Sequence, residues 1–240
     1  MNLSHIVAVT NRHLVPAATA TQIRALTTEL SYPPFNAHIP LLTQIKHLAE
    51  TDTEFIILRE KDMDESDYLA LSHAAIEICN NRHKKLVLHT YMNTAIKLGH
   101  PHIHLSYPAL LNYASAQNGY VHTTSHTVVK PPQSTDIEQC TGLSFELLTL
   151  GVSIHSREEA IHAEQLGATY LTAGHIFATD CKKGLPPRGL DWLKDITASV
   201  SIPVYAIGGI TEDNLSSVMQ YGATGGCMMS GAMHYPEKDG

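Results

Sequence analysis

Gln165-Leu166-Gly167-Ala168 and Gln220-Tyr221-Gly222-Ala223 are one junction written twice, and no other feature of the sequence constrains the fold as much. In each, an amphipathic stretch runs out, glycine follows within two residues, and an apolar run begins. Glycine just past a helix end takes the left-handed conformation that closes many helices. A helix that hands straight on to a strand is the αβ junction of a parallel sheet, because parallel neighbours need a crossover connection.

Eight apolar runs read as strands: residues 6–10, 55–58, 86–88, 103–105, 147–153, 170–173, 204–207 and 224–229. Helical spacing appears over residues 20–30, 40–49 and 67–80. A further helix opens at Ser156-Arg157-Glu158-Glu159, with Ser156 as cap and Glu159 completing a capping box. This alternation over 240 residues predicts a (β/α)8 TIM barrel, a single domain spanning residues 1–240. An open doubly wound sheet is the alternative. Residues 13–50 are long for one helix and its loop, and residues 112–146 are polar and irregular, so both are expected to be variable or inserted. Eleven residues follow Met229, which predicts an incomplete last helix and a homodimer that buries the exposed wall.

Composition narrows the partners. Asp and Glu total 23 against 16 Lys and Arg, with no long basic block, so no nucleic acid is expected. No run reaches the roughly 18 apolar residues of a membrane span, and the amino terminus lacks the pattern of a signal peptide. Cys79, Cys140, Cys181 and Cys227 are scattered, with no disulfide framework. A soluble cytoplasmic protein is the expectation.

In such a barrel the residues just after the strands share the catalytic face. Gly174-His175 ends the sixth strand, and Asp180, Lys182 and Lys183 follow in its loop. An imidazole beside a cationic loop suits proton transfer on an anionic substrate. The plainer reading is a strand-end histidine beside a solvated loop. Gly208-Gly209 follows the seventh strand and Met229-Ser230-Gly231 the eighth, where barrels commonly hold phosphate on backbone N–H groups. Thr211 is placed to cap the helix that follows. Sixteen histidines invite a metal reading, above all His102 and His104, which share one face of a strand. Barrel metal centres place such a pair after the first strand and add ligands from later ones, whereas this pair sits on the fourth, so no metal is expected there. Glu60 and Asp62 read as solvated, and Arg59 equally as a salt-bridge partner at the barrel mouth.

Five motifs in register resemble the thiamin phosphate synthase/TenI family: Ala8-Val9-Thr10-Asn11-Arg12, Leu58-Arg59-Glu60-Lys61, Gly151-Val152-Ser153-Ile154-His155, Gly174-His175-Ile176-Phe177 with Thr179-Asp180-Cys181-Lys182-Lys183-Gly184, and Ala206-Ile207-Gly208-Gly209-Ile210 with Met229-Ser230-Gly231. The resemblance implies a TIM barrel and one of two activities. The synthase joins a pyrimidine pyrophosphate to thiazole phosphate, with Mg²⁺ on the pyrophosphate. The tautomerase moves a proton to make a carboxythiazole phosphate aromatic. Arg59, Lys61 and Lys182 stand where the synthase holds pyrophosphate. The third strand, however, ends Leu88-His89-Thr90 where the synthase has Asn-Asp, and His104-Leu105-Ser106-Tyr107-Pro108 lacks its aspartate. Mg²⁺ prefers carboxylate oxygens.

The loop at His175 resembles the tautomerase, which implies that His175 carries the proton and that no cofactor is needed. Gly208, Gly209, Met229, Ser230 and Gly231 would hold a phosphorylated thiazole, with Ser153 lining the pocket. The synthase with Mg²⁺, and a non-catalytic thiazole-phosphate-binding regulator, are the alternatives.

Overall fold

Short apolar runs, most of them rich in Val, Ile and Leu, become eight parallel strands. A computed structural model describes residues 3–31, 34–117 and 147–236. The strands are β1 (Ile6–Val9), β2 (Phe55–Leu58), β3 (Leu86–His89), β4 (His102–Ser106), β5 (Thr149–Ile154), β6 (Tyr170–Gly174), β7 (Val204–Ile207) and β8 (Gly225–Met228). Each pairs with the next and β8 pairs with β1, closing the barrel. The expected (β/α)8 architecture is the observed one.

The helices are α1 (Ala20–Glu29), α2 (Ile39–Ala49), α3 (Glu65–Asn80), α4 (Met92–Lys97), α5 (Tyr107–Gln117), α6 (Arg157–Gln165), α7 (Gly189–Thr197), α8 (Glu212–Gln220) and α9 (Ser230–Met233). Both repeated junctions behave as read: Gly167 and Gly222 have φ of 91°. Gly222 also lets the chain pass close to α7, since a Cβ there would lie 2.6 Å from Thr197 Oγ1. Ser156 caps α6 by accepting from the Glu159 amide at 3.1 Å. The Glu159 carboxylate returns to the amide of His155 at 2.6 Å, one residue earlier than in an ideal capping box.

Residues 13–50 hold two helices rather than one, and the second closes a gap elsewhere. Helix α9 has four residues. Gln44 on α2 donates through Nε2 to the carbonyls of Ala232 and Tyr235, at 2.7 and 3.2 Å. His47 Nε2 lies 2.8 Å from the carbonyl of Pro236, and its ring stacks on Tyr235. The chain itself thus covers part of the wall that was expected to be open or to be buried by a second copy. Residues 112–117 also depart from expectation, because they continue α5 as helix. The rest of that segment, from 118 to 146, lies outside the described residues.

Strand register fixes what points into the barrel. Side chains alternate across a strand, and laterally paired residues share a face. Val7 pairs with Phe55 and with Cys227, Ile57 with Val87, His89 with His104, Gly151 with Tyr170, and Tyr205 with Gly225. Val7, Val9, Phe55, Ile57, Val87, Tyr170, Tyr205 and Cys227 form one buried cluster along the axis. Phe55, Tyr170 and Tyr205 meet edge to face in its lower part. Gly151 makes room for this plug, since a Cβ there would overlap the Tyr170 ring. The barrel is filled below, and only its upper end is free for chemistry.

Candidate functional site

The same alternation carries Arg59 and His89 inward, as the next inward positions after Ile57 and Val87, and His104, Ser153 and Thr172 with them. The upper layer is thus polar above an aromatic and aliphatic plug. His104 is 2% exposed. Its Nδ1 lies 2.9 Å from the Tyr170 hydroxyl and its Nε2 2.8 Å from Ser153 Oγ. Ser153 Oγ is in turn 3.0 Å from Thr172 Oγ1. His89 stacks on His104, with ring centroids 5.3 Å apart and planes 22° from parallel. Its Nδ1 lies 2.6 Å from Thr90 Oγ1.

Burial and then the nearby cations Lys61 and Arg59 push His104 down to about 3. His89 is driven well below the ordinary imidazole range, first by burial and then by His104, Lys61 and Arg59. Two neutral imidazoles therefore floor the mouth at physiological pH.

Above them converge cations from opposite sides of the ring. Arg59 and Lys61 leave β2, and Lys182 comes from the short turn Asp180–Lys182 after β6. Lys61 is exposed as a residue, yet its ammonium is partly shielded from water. Its pKa is lowered by that burial and by Arg59 and Lys182. The side chains of all three make no hydrogen bond or ion pair with the described residues.

The nearby acids are committed elsewhere. Glu60, expected to be solvated, is 2% exposed. It accepts from Thr10 Oγ1 at 2.7 Å, from the Arg12 amide at 3.0 Å and from the Arg12 guanidinium at 3.2 Å. Arg12, and not Arg59, is the salt-bridge partner at the mouth, and it also forks onto Asp62. His13 Nε2 lies 2.8 Å from the same carboxylate. With Thr10 receiving the Arg59 amide at 2.8 Å, this network pins the ends of β1 and β2 together.

The glycine cup lies across the mouth. Gly208 has φ of 95°, and a Cβ there would lie 2.3 Å from the Cβ of His175. His175 thus rests directly on the Gly208 backbone, with Nε2 3.4 Å from the Leu185 carbonyl. The Gly174–His175 peptide is cis. Phe177 donates its amide to the Gly208 carbonyl at 3.0 Å, and Asn214 Nδ2 donates to the Gly209 carbonyl at 2.8 Å. Asn214 also accepts the Thr211 amide at 2.9 Å, so α8 starts tied to the cup. Met229 sits half-buried, 3.7 Å through sulfur from Asn11 Nδ2, and leads into exposed Ser230 and Gly231.

His102 and His104 do face the same way, but they do not build a metal centre. His102 Nδ1 is 2.8 Å from Thr149 Oγ1, and both nitrogens of His104 are engaged. Among the described residues no group of three His, Cys, Asp or Glu side chains could hold a metal ion. Nor is any helix among them long and apolar enough to cross a membrane. The sequence reading brought Arg59, Lys61, Lys182 and the glycine cup to one mouth. It placed His89 on that face too, but missed His104, which strand register puts beside it.

A family model described as thiamine monophosphate synthase matches residues 32–122 and 132–232. The thiamine-phosphate synthase of Pyrococcus furiosus is 41% identical over 102 residues, covering 42% of this chain and 49% of that protein. That of Clostridium acetobutylicum is 46% identical over 84 residues, covering 35% and 40%. That of a Roseiflexus species is 28% identical over 185 residues, covering 77% and 68%. In the first two matches the chain spans about half or less of the relative's length. A solved thiamine phosphate pyrophosphorylase from Pyrococcus furiosus superposes with a TM-score of 0.64 at 22% identity, covering 98% of this chain and 89% of that one. At that identity the likeness speaks for the fold alone. The expectation of a thiazole tautomerase is corrected by these relatives, which are named as synthases.

Proposed function

Because the chain belongs to the thiamin phosphate synthase/TenI family, we propose that it is a thiamin-phosphate synthase. As a transferase it joins a hydroxymethylpyrimidine pyrophosphate to a thiazole phosphate and releases pyrophosphate. The observation that carries this reading is the trio Arg59, Lys61 and Lys182, unpaired among the described residues, at a mouth that also holds a glycine cup. Two anionic groups, one on each substrate, need two such places.

The C–O bond to the pyrophosphate breaks as the C–N bond to the thiazole forms, and negative charge builds on the departing group. Cations fixed in place before the reaction stabilise that charge without reorganising. Gly208, Gly209, Ser230 and Gly231 offer backbone amides to the thiazole phosphate. Ser153, held between His104 and Thr172, lines the space between the two ends. Holding both partners in one mouth supplies the remaining acceleration through proximity. His175 acts here as a wall of the cup. A cytoplasmic setting fits the free thiols Cys79, Cys181 and Cys227.

The family's Mg²⁺ fits the residues of this mouth poorly. The ends of β3 and β4 offer His89, Thr90 and Ser106 in place of carboxylates, and Glu60 is saturated by Thr10 and Arg12.

Product formation and pyrophosphate release are to be followed with both substrates. Arg59→Ala and Lys182→Ala should each lower kcat/KM by about 10²–10³-fold, as the loss of one charge-stabilising group does. Binding of thiazole phosphate with no product under any metal condition would sink the reading in favour of a non-catalytic binder.

A further inference from the structure

We propose that the mouth of this barrel binds a diphosphate group directly on Arg59, Lys61 and Lys182, without a divalent cation. This rests on the synthase reading for the identity of the group and on the site itself for the rest.

The charges at the mouth are lopsided. Three cations converge from β2 and from the loop after β6, and two of the three nearby acids are spent on Thr10 and Arg12. Glu60 is buried and spent on Thr10 and Arg12, and Asp62 is forked by Arg12. Asp180, on the same turn as Lys182, is exposed and makes no ion pair among the described residues. A dication entering here would meet three like charges and, of the three nearby acids, only Asp180 uncommitted. A diphosphate, carrying about three negative charges at neutral pH, would balance the three cations.

The floor argues the same way. Mg²⁺ asks for roughly six hard oxygen ligands in octahedral array. Beneath the cations stand two imidazoles, and three of their four ring nitrogens are engaged, with Tyr170, Ser153 and Thr90. Neutral imidazoles neither attract Mg²⁺ nor repel an anion. Burial and its cationic neighbours Arg59 and Lys182 disfavour the charged form of Lys61, and an anion settling between them relieves that strain on the charge.

Inorganic pyrophosphate is the probe, titrated calorimetrically into the full chain in EDTA and again with millimolar Mg²⁺. Binding is expected in EDTA, with affinity unchanged or weakened by Mg²⁺, which chelates the free anion. Arg59→Ala and Lys182→Ala should each weaken it at least tenfold, with the circular dichroism of both variants checked against wild type. His89→Asp should make binding rise with Mg²⁺, because it supplies the missing carboxylate.

Binding that appears only with Mg²⁺, or no binding in either buffer by folded protein, overturns the proposal. The synthase reading fails separately. Pyrophosphate bound in EDTA with no product from the two substrates would sink the synthase and leave this site standing. Product formation that requires Mg²⁺ would do the reverse.

Discussion

The hydroxyl of Thr10 accepts the backbone N–H of Arg59 at 2.8 Å and donates to the Glu60 carboxylate at 2.7 Å. One fully buried threonine thus sets the height at which a functional arginine leaves β2. Thr10→Val keeps the shape and deletes both bonds, leaving a buried amide and a buried carboxylate oxygen short of a partner. A loss of about 1–3 kcal/mol in urea unfolding is expected. Pyrophosphate affinity should fall as well, since Arg59 loses its anchor. An unchanged unfolding midpoint would mean that water replaces the hydroxyl.

The buried histidines make stability depend on pH in a stated direction. His104 is held at about 3 in the folded chain, against 6.5 for the free side chain. The folded state keeps it neutral, while the unfolded state binds a proton below 6.5. Its contribution is therefore complete above pH 6.5 and is lost as pH falls from there towards 3. Each such group adds up to about 1.4 kcal/mol per pH unit to that slope. Urea midpoints measured between pH 7 and 5 should fall less steeply in His104→Gln than in wild type.

Gly208→Ala introduces two faults at once. The backbone there has φ of 95°, and the new methyl would lie 2.3 Å from His175 Cβ. The cost should exceed about 2 kcal/mol. Affinity for thiazole phosphate should fall with it, since the cup must open to make room. Adding His175→Gly removes the closest contact but leaves the Cα of residue 175 at 2.8 Å and the backbone strain, so the double variant should recover only part of the loss in thermal unfolding. Strict additivity of the two changes would show that the contact does not matter.

Glu29 on α1 accepts from Arg82, beyond α3, and from Lys46 on α2. Arg82, acting chiefly by hydrogen bonding, lowers this carboxyl to about 2 from 4.5. The stability it contributes is present above pH 4.5 and is lost as pH falls towards 2. Glu29→Gln should cost about 2 kcal/mol at pH 7 and less at pH 3. Equal losses at both pH values would assign the effect to packing rather than charge.

What the sequence disclosed was local. The glycines after α6 and α8, the Ser156 cap and the alternation of strand and helix each act within a few residues, and each is where it was expected. What it concealed was long-range. Glu60 reads as a solvated acid because its partners Thr10 and Arg12 lie 50 and 48 residues away. His104 reads as a metal candidate because Ser153 and Tyr170 are 49 and 66 residues distant. Residues 112–117 look irregular because Asn112, Ser115 and their neighbours give α5 little apolar periodicity. The tautomerase expectation rested on the loop around His175 and on the carboxylates lacking after β3 and β4, both of them local signals.

The clasp of Gln44 and His47 on residues 232–236 has a consequence for how the protein can be divided. Most of the recognisable motifs lie after residue 147, yet the segment behind Ser230 and Gly231 leans on a helix formed before residue 50. A half-barrel carrying every glycine of the cup would still lack its backing. In this chain the anion-holding end is a property of the closed ring, assembled only when the first and last βα units have met.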